Sequence, residues 1–295
     1  MSAPLIVALP GNEALGAQLA KGLGGELAAT EFHRFPDGER YVRFDTPPAG
    51  RSVVLACTLD RPDEKFLTLA FAAGSARDLG ASRIGLVAPY LPYMRQDKVF
   101  KTGEAVTSVL FAHLLSRSVD WLVTIDPHLH RLGSLDAIYS IPTRTLHAAP
   151  LIAKWITKNV SRPLLIGPDA ESEQWVGAIA GECGAPHIVL KKQRHGDRAV
   201  EISVPDMGRW PDHTPVLIDD IISSAHTMIE ALSQLKRSGM AHAICIGIHA
   251  VFGGGAYGTI GAAGPARIVT ANTIHHETNE INVTPLLVNG VRDLN

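Results

Sequence analysis

The stretch Val216-Leu217-Ile218-Asp219-Asp220-Ile221-Ile222-Ser223-Ser224-Ala225-His226-Thr227-Met228 decides how the rest of the chain is read. It opens as a short apolar run of strand type, passes through two adjacent acids and reaches a turn of small residues. Met228, Ile229, Leu232 and Leu235 then recur at helical spacing. Thr227 with Glu230 three residues on is a capping-box signature for the start of that helix. The order is strand, acids, small polar loop, helix N-terminus. Unpaired N–H groups and the positive end of the helix dipole suit such a loop to a phosphate. The Asp219 and Asp220 carboxylates can accept hydrogen bonds from sugar hydroxyls or hold a metal through bound water. The same string is also compatible with a plain βα turn whose carboxylates face solvent.

Working outward, strands and helices alternate. Leu5–Leu9, Ser52–Thr58, Arg83–Ala88 and Trp121–Ile125 read as buried strands, with helices to about Leu23, over Asp63–Leu79 and over about Glu104–Ser116. Val106, Val109, Leu110 and Leu114 are the expected inner face of that third helix. The pattern repeats with a strand at Pro163–Gly167, a helix at Glu171–Cys183, a strand at His187–Leu190 and the Val216 stretch. Ala243–Ile248, Arg267–Thr273 and Val283–Val288 follow. Such alternation indicates a mostly parallel sheet covered on both faces, with ligands beyond the carboxyl ends of the strands. Between the first strands, Glu31–Phe44 reads as a hairpin joined at Pro36-Asp37-Gly38. The join between the halves falls near His147–Pro150, which predicts an N-terminal domain over 1–147 and a C-terminal domain over 148–295, the last residues able to return to the first.

The 295 residues suffice for two domains, and at 46% hydrophobic and 19% charged they carry a sizeable core. A formal net charge of −2 predicts no general affinity for nucleic acid or an anionic membrane. The three cysteines are far apart and odd in number, against a disulfide framework, and no signal peptide or membrane span is read. A cytoplasmic protein is expected.

Polar groups collect at the strand ends: Phe35, Asp37 and Glu39 at the hairpin tip, then Arg95, Gln96 and Asp97, then His128, Asp169, and the pair Lys192 and Arg194. Singly each has an ordinary explanation: a hydrogen-bonded histidine, a solvated strand end. No Walker A string and no GxGxxG occurs, so a nucleotide would be held another way.

The Val216 loop resembles the phosphoribosyl-diphosphate loop of the type I phosphoribosyltransferase fold, whose members read two acids, two apolar residues, an acid, then Thr-Gly-Gly-Thr. Ser223 stands at the third acid and Ala225-His226 at the glycines. Taken with Phe35-Pro36-Asp37-Gly38-Glu39, Tyr93-Met94-Arg95-Gln96-Asp97, Thr124-Ile125-Asp126-Pro127-His128, Pro168-Asp169 and Lys192-Gln193-Arg194, nearly the whole chain resembles the ribose-phosphate diphosphokinases. The resemblance implies an α/β fold of two tandem phosphoribosyltransferase-like domains, each a mostly parallel sheet flanked by helices. It implies transfer of a diphosphoryl group from ATP to the 1-hydroxyl of ribose 5-phosphate, giving phosphoribosyl diphosphate and AMP for nucleotide biosynthesis.

By the same resemblance, Phe35, Asp37, Glu39, Arg95, Gln96 and Asp97 bind ATP, its adenine stacked on Phe35 and the Arg95 guanidinium. His128 and Asp169 hold Mg²⁺, and Lys192 and Arg194 are catalytic, donating to charge that develops on the phosphoryl oxygens. Asp219, Asp220, Ser223, Ser224, Ala225, His226 and Thr227 bind ribose 5-phosphate. A homodimer or higher homo-oligomer is implied, with no nucleic acid or membrane partner. Two other readings stay open: a phosphoribosyltransferase, which uses the loop but leaves Phe35, Arg95 and Gln96 unexplained, and a catalytically silent nucleotide-binding paralogue that regulates a partner.

Overall fold

The structure is a computed structural model that describes residues 3–195, 199–203 and 207–294, with side chains described outside 191–195 and 199–203. Its contacts divide the chain into two units. One runs to Leu146 and takes back the chain from Thr284 onward; the other is His147–Val283.

The first unit opens with β1 (Leu5–Ala8), α1 (Glu13–Leu23), β2 (Glu26–Leu27) and the hairpin β3 (Thr30–Arg34) and β4 (Arg40–Phe44). It continues through β5 (Ser52–Ala56), α2 (Pro62–Asp78), β6 (Arg83–Ala88), α3 (Thr107–Ser118), β7 (Trp121–Ile125) and β8 (Thr143–Leu146). The second holds α4 (Ala149–Asn159), β9 (Pro163–Gly167), α5 (Glu173–Cys183), β10 (His187–Val189) and a second hairpin, β11 (Lys191–His195) and β12 (Ala199–Ser203). After it come β13 (Thr214–Ile222), α6 (His226–Arg237), β14 (Ile244–Ala250), α7 (Ala256–Ala262), β15 (Arg267–Ala271) and β16 (Asn279–Ile281). The closing α8 (Thr284–Arg292) packs on α1, β7 and β8 of the first unit, where Arg292 donates to the Gly22 carbonyl.

Each unit has a six-stranded parallel sheet, ordered β2-β1-β5-β6-β7-β8 in the first and β10-β9-β13-β14-β15-β16 in the second. The orders are the same permutation, so the two units repeat one architecture. The central strands β5, β6, β7 and β9 are buried along nearly their whole length, which is why they read as unbroken apolar runs rather than alternating ones. In each order the chain first steps to one side and then to the other, leaving a switch point between β1 and β5 and between β9 and β13. The strand ends around such a point form the ligand crevice of an open parallel sheet.

Two expectations are corrected. In α3 the buried residues are Ser108, Phe111, Ala112 and Leu115, whereas Leu110 and Leu114 are 55% and 46% exposed. The helix carries apolar side chains on two faces, and tertiary packing chose the one that sets Phe111 between Phe66 and Tyr93, at ring-centroid distances of 5.4 and 4.9 Å. Thr227 and Glu230 do not form a capping box. The helix begins two residues earlier, at His226, with Ala225 rather than Thr227 as N-cap and no side-chain cap hydrogen bond.

Candidate active site

β13 carries both acids within the strand and ends at Ile222, later than its apolar run alone would place it. Register with β14 sets Asp219 opposite Gly247 and Ile221 opposite His249. The Asp219 carboxylate accepts from the Asp220 backbone N–H at 3.0 Å, which turns it back along the strand. Burial, then the like charges of Asp220 and Asp169, push the Asp219 carboxyl well above the usual carboxylate range. Asp169 comes from the neighbouring strand: it follows β9 across the switch point and caps the next turn by accepting from the Glu171 N–H at 3.1 Å. That turn packs against the strand it leaves, since a Cβ on Gly167 would lie 2.1 Å from the Ser172 hydroxyl.

The loop after β13 then reverses through Ala225, a buried residue in the left-handed region at φ 61°, ψ 4°. That conformation is the usual province of glycine, and a Cβ there costs roughly 1 kcal/mol. Ala225 thus adopts a glycine-like backbone while adding a methyl group to the buried cluster that also holds Leu217 and Met228. Ser224 and His226 are exposed, Ser223 and Thr227 half-buried, and His226 and Thr227 lie in the first turn of α6, where the N–H groups of a helix start are available to an anion.

In the first unit the hairpin tip is rigid. The Phe35 N–H donates to the Glu39 carbonyl, the Asp37 carboxylate accepts from the Glu39 N–H, and Arg34 Nε donates to the Gly38 carbonyl at 3.2 Å. This fixes Phe35 in the open, 43% exposed, with His33 edge-on to it at 4.7 Å. Beyond β6 the chain turns at Tyr93, itself at φ 63°, whose hydroxyl donates to Asp63. Arg95 is exposed and Gln96 half-buried, while Asp97 differs sharply: its carboxylate is 2% exposed and is engaged by Arg131. Beyond β7, Asp126 and His128 both have positive φ, 35° and 48°, a local bend closed by a hydrogen bond from the His128 N–H to the Asp126 carbonyl. His128 Nδ1 lies 3.1 Å from His130 Nε2. The structure gives Lys192 and Arg194 as residues of β11, and their side chains lie outside the described residues.

Three residues escaped the sequence reading. His130 follows His128 at a two-residue interval, a His-x-His signal visible in the sequence. Arg131 had no local signal, because its partner is 34 positions away. His249, 1% exposed beside the Ile221 position, places Nδ1 3.0 Å from the Thr273 hydroxyl. Thr273 gives its proton to the Ile248 carbonyl, so Nδ1 of His249 is the donor to Thr273.

Residues 5–118 match the profile of the N-terminal domain of ribose phosphate pyrophosphokinase, and residues 134–279 match that of the phosphoribosyl transferase domain. Ribose-phosphate pyrophosphokinase from Methanothermobacter thermautotrophicus is 31% identical over 98% of this chain and 100% of its own length. The chain belongs to the ribose-phosphate pyrophosphokinase family. A further ribose-phosphate pyrophosphokinase, from Saccharolobus solfataricus, is 30% identical over 94% of this chain and 95% of its own length. The crystal structure of phosphoribosylpyrophosphate synthetase from Mycobacterium smegmatis superposes with a TM-score of 0.85 at 23% identity, covering 99% of each chain, and so shares the fold. Membership spans both units, and it confirms the resemblance and the fold class read from the motifs. Within the loop, Ala225 takes a left-handed backbone that glycine would adopt at lower cost.

Proposed function

We propose that the protein transfers the β,γ-diphosphoryl group of ATP to the 1-hydroxyl of ribose 5-phosphate. The hydroxyl oxygen forms a bond to the β-phosphorus, the bridge to the α-phosphate breaks, and AMP leaves with the bridging oxygen. The observation that carries this reading is the construction of Asp219–Thr227: two acids at a strand end beside the switch point, a left-handed turn, and a helix start. Family membership over both units favours it over a phosphoribosyltransferase, which would account for the loop alone.

In this reading the first turn of α6, with Ser224, Thr227 and His226, holds the 5-phosphate, and Asp219 and Asp220 accept from the ribose hydroxyls. Phe35, exposed on a rigid tip, and Arg95 hold the adenine between an aromatic face and a guanidinium, with Asp37, Glu39 and Gln96 as hydrogen-bonding neighbours. Lys192 and Arg194 donate to the charge that develops on the transferred group.

Mg²⁺ fits the chemistry of the acids. Asp219 is driven toward protonation by burial and then by the like charges of Asp220 and Asp169, a buried negative charge that a hard, oxygen-seeking dication relieves. Asp169 and, by the family resemblance, His128 are the proposed ligands. When bound, the ion neutralises charge on the phosphate oxygens.

Self-association is proposed as well. Leu67 and Phe71 on α2, and Leu110 and Leu114 on α3, each stand exposed at helical spacing, and a homo-oligomer would cover them. A reducing, cytoplasmic setting is supported by three free thiols, at Cys57, Cys183 and Cys245. No helix of the described residues is long and apolar enough to cross a membrane.

The test of the activity is AMP formation from ATP. It is expected only when ribose 5-phosphate is present, with phosphoribosyl diphosphate appearing in equal amount. ATP consumption independent of the sugar, or none with both substrates and Mg²⁺, overturns the proposal.

A further inference from the structure

We propose that Arg131 is a positioning residue for the nucleotide: it holds the Arg95–Gln96 segment in place through the buried carboxylate of Asp97. The inference rests on the reading above in which that segment holds ATP.

Asp97 directly follows Arg95 and Gln96, and its side chain is 2% exposed. A buried carboxylate needs a counter-charge, because an isolated ion loses far more hydration than burial returns. Arg131 Nη1 supplies it, 2.9 Å from one carboxylate oxygen and 3.2 Å from the other. The guanidinium is 39% exposed, so its outer side stays wet while its inner nitrogen closes over the carboxylate. Its carbon also lies 5.7 Å from the centre of the Phe100 ring, which Lys98 Nζ approaches at 5.2 Å. Phe100 is 53% exposed, so Arg131 contacts this loop at a buried point and at an outer one.

The start of this loop is tied to its surroundings by the Tyr93 hydroxyl, which donates to Asp63, and by the Tyr90 and Pro89 carbonyls, which accept from the Leu59 and Ile125 N–H groups. Beyond Arg95, hydrogen bonds run within the loop and to α3. Glu104 accepts from the Phe100 and Lys101 N–H groups at 2.9 Å each, and the Gln96 carbonyl accepts from Ser108 N–H at 3.3 Å. Arg131 thus makes a charged link from the loop after β6 to the loop after β7, which carries His128. Asp97 is reassigned in consequence. Its carboxylate is engaged from inside the fold, and it acts on the nucleotide by fixing its two neighbours.

The experiment measures ATP and ribose 5-phosphate affinities by calorimetry on the intact protein, with melting temperature recorded for each variant. Arg131→Ala is expected to weaken ATP by about tenfold or more while leaving ribose 5-phosphate within about twofold. Arg131→Lys should recover part of the loss, since it returns the charge without the planar fork. Asp97→Asn combined with Arg131→Ala should bind ATP no worse than Arg131→Ala alone, because no orphaned carboxylate remains. ATP affinity unchanged in Arg131→Ala, or equal weakening of both ligands in the Lys variant as well, overturns the proposal. If the wild type binds ATP but forms no AMP, the activity reading falls while the Arg131 comparison still decides this one; a wild type that binds no ATP overturns both.

Discussion

Replacing Asp219 by asparagine should make the protein more stable and less active. The Asp219 carboxyl is pushed up by burial and by the neighbouring charges of Asp220 and Asp169. A folded-state value above the unfolded one, about 3.9, means that the native state binds this proton more tightly. Stability then falls as pH rises from about 4 through the raised value, and the full penalty is present above it. Like charges in contact range repel by roughly 1–4 kcal/mol between the limits of bulk water and a partly buried site. Asparagine removes that repulsion and keeps the oxygen that accepts from the Asp220 N–H.

The expected gain is about 1–4 kcal/mol at pH 7.5, or roughly 3–12 °C in melting temperature for a domain of this class. It should shrink to near zero at about pH 4, where the wild-type carboxyl is already protonated. Thermal and urea denaturation of both proteins over that pH range, with and without Mg²⁺, is the assay. A cation at about a hundred times its dissociation constant stabilises a protein that binds it by about 2.7 kcal/mol, and the variant should lose most of that increment. An Asn variant less stable than wild type at pH 7.5, or a difference that does not vary with pH, refutes the reasoning.

Lys192→Ala and Arg194→Ala should each lower kcat by on the order of 100–1,000-fold with little change in either KM, read from kinetics with both substrates varied; a raised KM at unchanged kcat removes the transition-state role. Phe35→Leu should weaken ATP and spare ribose 5-phosphate, with melting temperature nearly unchanged because the ring is 43% exposed and the tip is held by its backbone; calorimetry showing equal loss of both ligands would assign Phe35 to folding. Gly167→Ala puts a Cβ 2.1 Å from the Ser172 hydroxyl and so must displace that hydroxyl, which donates to the Asp169 carbonyl; Mg²⁺-dependent thermal stabilisation should fall, and an unchanged Mg²⁺ response would show that Asp169 does not depend on that bond.

What the sequence made legible, and what it hid, divides by the range over which each feature is decided. β6, β7 and β9 were bounded at their observed ends, because a strand buried on both faces must be apolar at every position and the break in that run is local. The β3–β4 hairpin was equally readable, since Pro36-Asp37-Gly38 determines its own turn. The inner face of α3 was not, because a helix with two apolar stripes can be docked either way and only Phe66 and Tyr93, far off in sequence, decide between them. The helix start at His226 was missed because the Thr227–Glu230 pattern outweighed an alanine, the residue least expected to cap through a left-handed turn. A position where glycine is cheaper is held here by Ala225, whose buried methyl returns roughly 0.8 kcal/mol against a conformational cost of similar size. The strained turn is thus held with almost no net loss, so an alanine at this position still supports the left-handed backbone that leads from Asp219 to the start of α6.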